Sequence, residues 1–290
     1  MTEQQILFQS IKDNDYKKLE EMLTNGSDMS VINDDGLTLL HLAAELGQQQ
    51  CVHTLLSYNC IDVNVRDNCD TPLGPLQTTP LHVAAAEGWP QLVIELIDNG
   101  ADVNSVTITG WTPLQYVMIT EKMTPTKLQS MAVLIGKGAD VNKRDADGNH
   151  SLNIAVLYGH YEATRLLLNS GVQLTAVEAI DPNCLRSDNV YRCVELCVKA
   201  GAHRVIEKYH IMRFAMESQE TNDEDMDQRQ LESIIARMDS LLAVWSSVAP
   251  LKHLCRLAYR RLYSGHNFNA VVDCLRIPHT FRRYLLFITD

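Results

Sequence analysis

The sequence predicts an all-α solenoid of helix-turn-helix repeats with β-hairpin tips, followed by a small helical module at its C-terminal end. Three observations predict it. The phrase Thr38-Leu39-Leu40-His41-Leu42-Ala43-Ala44 returns as Thr79-Pro80-Leu81-His82-Val83-Ala84-Ala85, as Thr112-Pro113-Leu114-Gln115, and more weakly as His150-Ser151-Leu152-Asn153-Ile154-Ala155. A closing phrase returns in step with it: Cys60-Ile61-Asp62-Val63-Asn64, Gly100-Ala101-Asp102-Val103-Asn104 and Gly138-Ala139-Asp140-Val141-Asn142. From Pro250 onward the repeat stops, and short amphipathic stripes at helical spacing take its place.

In chain order, a degenerate first repeat runs from Gln5 through Leu23-Thr24-Asn25-Gly26. Four clear repeats follow at about 34–66, 67–104, 105–142 and 143–174, and a last copy shows only its end, Ala200-Gly201-Ala202-His203. Blurred terminal copies suit a solenoid, because the outer faces of its end repeats meet water rather than another repeat. Within a repeat, Thr79 caps the first helix and Pro80 opens it where no intrahelical donor is lost. His82 is placed to hydrogen-bond back towards the turn and lock neighbouring repeats, while the paired Ala84 and Ala85 let helices approach closely. Gly100 follows a helix end, where a left-handed backbone is wanted. A period of about 33 residues carrying Thr-Pro-Leu-His-x-Ala resembles the ankyrin repeat, over about residues 1–204. The resemblance implies an array of about six repeats that binds another protein along its hairpin tips and first helices.

Departures from this grammar at the tips supply the candidate substrate-binding residues Asp70, Leu73, Val106, Ile108 and Trp111. An ordinary tip runs from Asp to Thr in about six residues, whereas Asp67 to Thr79 carries about seven more. Loops carry binding residues more often than the elements they join, yet a tolerant tip also accepts neutral insertions, and both readings stand. In the next tip Thr107 replaces the usual aspartate. There Val106, Ile108 and Trp111 offer apolar surface where Arg144-Asp145-Ala146-Asp147 carries charge. Trp111 reads either as a contact anchor or as repeat packing. The repeat opened by Thr112 has about five extra residues around 120–126, which lengthen the turn between its helices, away from the tips. Leu56, Leu96 and Leu134 each stand eight residues before Asn64, Asn104 and Asn142. That arrangement resembles substrates of the asparaginyl hydroxylase that acts on ankyrin repeats and implies hydroxylation at these asparagines. The same residues also build the hairpin whether or not an enzyme visits them.

Residues 205–249 read as a helical bridge with an acidic loop at 217–225, after which Leu231, Ile234, Ile235, Met238, Leu241, Leu242 and Trp245 recur at helical spacing. In 250–290, Pro250 opens a helix whose Leu251, Leu254, Cys255, Ala258, Tyr259 and Leu262 share one face, opposite Lys252, His253, Arg256, Arg260 and Arg261. Leu275-Arg276-Ile277-Pro278 leads to a second short helix with Phe281, Tyr284 and Leu285 on one side. So small a piece cannot bury these stripes alone and needs a partner. The segment resembles a SOCS box. That resemblance implies elongin C binding through Pro250, Leu251, Leu254, Cys255 and Tyr259, with elongin B accompanying. It also implies contact with cullin-5 and its RING subunit through Leu275, Ile277 and Pro278. Arg276 stands where the family usually has its first proline, and Tyr259 where a small or branched aliphatic is usual. Array, bridge and box in this order resemble the ankyrin-repeat and SOCS-box family across essentially the whole chain.

The formal charge of the 290-residue chain is −11; from Leu251 onward seven Lys/Arg against two Asp give +5, so the rest carries −16. An acidic array argues against nucleic acid and favours a basic protein substrate. No apolar run of eighteen occurs, so no membrane-spanning helix is expected, nor a membrane partner, and Met1-Thr2-Glu3-Gln4-Gln5 lacks a signal-peptide order. The eight cysteines are irregularly spaced with no Cys-x-x-Cys, as for reduced thiols in an intracellular protein, cytoplasmic and nuclear, with no metal site. No metalloprotease, phosphate-loop or nucleophile-elbow motif is present, so no catalytic residue and no cofactor are expected. The expected function is that of a non-catalytic substrate receptor of an elongin–cullin-5 ubiquitin ligase. Three rivals stay open: a scaffold with a vestigial box, favoured by Arg276 and Tyr259; an F-box-like adaptor, opposed by the Leu251 and Cys255 pair; and an enzyme, opposed by the lack of any catalytic motif.

Overall fold

The structure, a computed structural model, describes residues 2–58, 61–68, 70–71, 74–120, 122–174, 187–200, 236–237 and 240–241. Leu73, the acidic run at 217–225, Trp245 and all of 250–290 lie outside the described residues. The chain divides into two compact units, Met1–Val172 and Gln173–Asp290, so the sequence boundary at 204 falls within the second.

The first unit is built of five helix pairs. They are α1 (Glu3–Lys12) with α2 (Tyr16–Thr24), α3 (Leu39–Glu45) with α4 (Gln49–Leu56), and α5 (Pro80–Glu87) with α6 (Pro90–Asp98). In the fourth pair α7 (Pro113–Tyr116) runs into a 3-10 turn at Val117–Ile119 before α8 (Pro125–Gly136); the fifth is α9 (Ser151–Leu157) with α10 (Tyr161–Asn169). The extra residues of the fourth pair do lengthen its inter-helix turn. Two-residue strands β1 (Asp70–Thr71) and β2 (Gly74–Pro75) pair antiparallel inside the inserted tip.

The capping grammar is realised. The Oγ1 atoms of Thr38 and Thr112 accept from the N–H of His41 and Gln115 at 3.4 and 3.3 Å, and Pro80, Pro90, Pro113 and Pro125 each open a helix. Gly88 ends α5 in the left-handed region at φ +81°. First helices α1, α3, α5 and α7 stack on one another, and second helices α2, α4, α6 and α8 form the layer behind. Ala43, Ala44, Ala84 and Ala85 are fully buried between first helices, beside Leu81, Leu114 and Leu152. Each buried leucine contributes roughly 1.5–3 kcal/mol, so the stack is held mainly by neighbouring repeats covering one another. On the turn side, Trp89 lies against Gly47, where a Cβ would sit 2.6 Å from the indole, and its Nε1–H donates to the Glu45 carbonyl at 3.3 Å.

In the second unit, α11 (Asp188–Ala200) buries Val190, Cys193, Val194, Cys197 and Val198 on one stripe. The Arg237 guanidinium pairs with the Asp188 carboxylate and lies 5.6 Å from the Tyr191 ring centroid. Leu241, expected on the apolar stripe of the bridge, is helical and buried.

Candidate functional site

Two sets of polar side chains tie each repeat to the next, and together they set the shape of the tip surface. The first set sits at the fourth position of the repeat phrase. Nδ1 of His82 accepts from the Thr79 N–H at 3.2 Å, which leaves the proton on Nε2, and Nε2 donates to the Trp111 carbonyl of the next repeat at 3.0 Å. His41 repeats the arrangement, with Nδ1 2.8 Å from Thr38 Oγ1 and Nε2 donating to the Thr78 carbonyl at 3.0 Å. Gln115 reproduces it with an amide: Oε1 accepts from the Thr112 N–H at 2.9 Å, and Nε2 donates to the carbonyls of Lys143 and Asn149 at 3.0 and 3.2 Å. Burial drives the His82 pKa down to about 4 and that of His41 below its usual value, so both rings stay neutral near pH 7.

The second set is the closing asparagines. Asn64 Oδ1 accepts from the Asp102 N–H at 2.8 Å and its Nδ2 donates to the Gly100 carbonyl at 3.2 Å. Asn104 makes the same pair of bonds one repeat on, to the Asp140 N–H at 2.8 Å and the Gly138 carbonyl at 3.3 Å. Asn142 is half-buried at the third of these positions.

The tips are five-residue loops closed by a backbone bond from the leading residue to the carbonyl four positions on: Asn33 to Leu37, Thr107 to Trp111 and Asp145 to Asn149. The leading side chain accepts from the far N–H in each, including Thr107, whose Oγ1 takes the Trp111 N–H at 3.1 Å in place of the usual carboxylate. In the inserted tip the same closure runs from Asp67 to Thr78, eleven positions rather than four. The base of this tip is therefore closed as in the others, with seven more residues between its ends. Tips also bond to one another: Asn68 N–H to the Gly36 carbonyl, Ile108 N–H to Leu76, and Ala146 N–H to Thr109, each at 3.0 Å. Gly110, at φ +81°, allows the last approach, since a Cβ there would stand 2.9 Å from the Ala146 nitrogen.

The candidate substrate residues fall on these neighbouring tips. Asp70 lies in β1, and Leu73 is outside the described residues. Val106 is half-buried, Ile108 is 63% exposed, and Trp111 is half-buried. The Trp111 indole N–H donates to Asp145 Oδ2 at 3.1 Å, and its ring tilts against Tyr116 at 6.3 Å between centroids. The ring thus packs between repeats, and Ile108 is the apolar side chain that this tip presents to solvent. Arg66 and Arg144 also belong to this edge, although neither is among the expected substrate residues. Arg66 Nη1 donates to the carbonyls of Gln77 and Val106 at 3.0 and 2.7 Å, and Arg144 Nη1 to Gly148 at 2.6 Å. The signal for them was the Arg-Asp pair that recurs at 66–67 and 144–145.

Cys51, Cys193 and Cys197 are buried thiols; burial pushes the Cys51 pKa up to about 11 and that of Cys197 higher still. Among the described residues no group of three or more His, Cys, Asp or Glu is arranged to hold a metal ion, and no helix is long and apolar enough to cross a membrane. The expected box residues Pro250, Leu251, Leu254, Cys255, Tyr259, Leu275, Ile277 and Pro278 lie outside the described residues.

Comparison with known proteins accounts for both modules. A family model for ankyrin repeats matches residues 7–107 and 81–178, and one for the SOCS box matches residues 247–286. A BTB/POZ domain and ankyrin repeat-containing protein, NPR5, of Oryza sativa subsp. japonica is 32% identical over 141 residues, which is 44% of this chain and 27% of that protein. The B-cell lymphoma 3 protein homolog of Mus musculus is 30% identical over 151 residues, 51% of this chain and 32% of that protein. The E3 ubiquitin-protein ligase KEG of Arabidopsis thaliana is 31% identical over 139 residues, 48% of this chain and 8% of that protein. The chain thus spans less than a third of the length of these relatives. Its repeats, with the box model matched behind them, account for most of its own length: the chain belongs to the ankyrin repeat and SOCS box family.

Proposed function

We propose that this chain is a non-catalytic substrate receptor of a cullin–RING ubiquitin ligase. The observation that carries the reading is the joining of an ankyrin array, matched over 7–178, to a SOCS box matched over 247–286. The array selects a protein through its tips, at Val106, Ile108 and the inserted loop around Asp70 and Leu73, with Trp111 holding the tip in place. The box binds elongin C through Pro250, Leu251, Leu254, Cys255 and Tyr259, elongin B accompanies it, and Leu275, Ile277 and Pro278 lead to cullin-5 with its RING subunit. The chain's chemical contribution is proximity. Tethering a substrate lysine beside a charged ubiquitin-conjugating enzyme turns a bimolecular encounter into an effectively intramolecular one. The buried, neutral histidines and high-pKa thiols of the array favour binding over catalysis.

Isothermal titration of the full chain with purified elongin B–C tests the box. Leu251→Ala with Cys255→Ala removes two apolar contacts, each worth about 1.5–3 kcal/mol when buried, and lowers affinity by orders of magnitude. Unchanged affinity refutes the SOCS-box reading and leaves the chain as an ankyrin scaffold. Hydroxylation of Asn64, Asn104 and Asn142 is part of the same proposal. Because the Asn64 and Asn104 amides close cross-repeat bonds, the modifying enzyme must catch a repeat end that has opened. Added oxygen on at least one of these peptides, read by mass spectrometry from oxygenated cells, supports it; its absence with the hydroxylase active rejects it.

A further inference from the structure

The whole-chain charge points to a basic partner, but the tip of the fourth repeat is built differently. Residues 106–111 carry no charge, and the side chains that flank them are cationic. On one side Arg66 reaches across from the preceding repeat and donates through Nη1 to the carbonyls of Gln77 and Val106. Its Nε and Nη2 have no partner among the described residues, so a guanidinium fixed at one end presents donors at the other. On the other side exposed Lys143 and Arg144 lead into the tip that bonds to Thr109.

The nearby carboxylates Asp67, Asp145 and Asp102 are each held by hydrogen bonds within the array. Asp67 is buried and accepts from the Thr78 N–H and hydroxyl. Asp145 is buried and accepts from the N–H groups of Asp147 and Asn149 and from the Trp111 indole. Asp102 has an oxygen on the Asn104 N–H at 2.9 Å. Asp147 is the exposed acid of the following tip.

Beneath the tip a groove of about 350 Å³ is lined by Arg66, Asp102, Asn104, Ser105 and Val106 among others. Ser105 is over nine-tenths buried, and its hydroxyl has no hydrogen-bond partner. A buried hydroxyl without a partner is a donor that an incoming acceptor would satisfy. Two residues on from Val106, Ile108 is 63% exposed, with its N–H held to the Leu76 carbonyl at 3.0 Å. The patch therefore offers a rigid cation, an unused hydroxyl and an exposed aliphatic side chain over a few residues' length.

We propose that this tip and groove dock an extended segment of the protein substrate in which an aliphatic residue adjoins an aspartate or glutamate. The aliphatic side chain packs on Ile108, and the carboxylate accepts from Arg66 and Ser105, with Arg144 adding attraction at longer range. This rests on the substrate-receptor reading and names the class of segment that its tip surface takes.

The test is a random-peptide display selection on the full chain, followed by fluorescence anisotropy with one enriched synthetic peptide. Enriched peptides pair Leu, Ile or Val with Asp or Glu. Ile108→Asn, which alters an exposed side chain, weakens binding by about tenfold or more. Arg66→Gln and Arg144→Gln also weaken it and flatten its dependence on salt, circular dichroism confirming that each variant is folded. Replacing the peptide's acidic residues with lysine abolishes binding to wild type and restores it with Arg66→Glu plus Arg144→Glu. Selection of basic peptides, binding indifferent to Ile108→Asn, or no enrichment over an unrelated ankyrin control overturns the proposal. Elongin titration on the same preparations separates the two ideas: an intact box with a basic peptide preference removes this inference and leaves the receptor reading, and the converse result does the reverse.

Discussion

Replacing His82 with alanine removes the ring that joins the third repeat to the fourth. The ring is fully buried, accepts from the Thr79 N–H at 3.2 Å and donates to the Trp111 carbonyl at 3.0 Å. Alanine leaves both backbone groups without partners and a void where the imidazole stood. Unpaired buried polar groups cost about 1–3 kcal/mol each and the void adds to this, so His82→Ala should lose about 2–4 kcal/mol. His82→Gln should lose less than about 1 kcal/mol, because Gln115 already performs the same two tasks one repeat later. Urea unfolding of the full chain followed by far-ultraviolet circular dichroism measures both. If glutamine is as damaging as alanine, the clamp is not a hydrogen-bonding device. If alanine is harmless, the repeats are held by apolar burial alone.

Further outcomes follow from the same geometry. His82 and His150 are held near pKa 4, against 6.5 when unperturbed, first by burial. The unfolded chain then binds more protons between those values, so stability is whole above about pH 6.5 and falls as pH drops towards 4, by on the order of 3 kcal/mol for His82. Denaturant midpoints at pH 7 and pH 5 read this, and His82→Gln should reduce the slope; a midpoint that does not change contradicts the buried neutral ring. Gly110→Ala should cost about 2 kcal/mol or more and Gly138→Ala about 1, because both are left-handed but only the first drives a Cβ against backbone. Equal losses would mean that tip-to-tip contact is unimportant. Ile277→Ala with Pro278→Ala should weaken cullin-5 capture and spare elongin B–C, read by pulling down both from one lysate; loss of both makes the segment part of the box core.

How far the sequence discloses such a molecule depends on how local the signal is. The repeat phrase is local, so Thr79, Pro80 and His82 announce cap, helix start and clamp, and the seven-residue insertion can be counted from the spacing of Asp67 and Thr79 alone. Burial of Cys193 and Cys197 follows from helical spacing in the same way. Trp111 shows the limit. Sequence leaves it open between contact anchor and repeat packing, and its indole bonds to Asp145, which only stacking brings within 3.1 Å. Arg66 is similar: its acceptors are the carbonyls of Gln77 and Val106, the second forty positions away, and no spacing rule points to them. Net charge is equally blind to placement: it cannot show that Asp67 and Asp145 are buried and hydrogen-bonded inside their tips.

The central claim is that array and box act together to deliver a protein to ubiquitin transfer. The most direct measurement is the half-life of proteins found by proximity labelling around the wild-type chain, compared in cells expressing wild type or Leu251→Ala with Cys255→Ala. The account predicts the same labelled proteins in both, with longer half-lives and less ubiquitin where the box is mutated. Identical half-lives, once elongin binding is shown to be lost, would contradict it.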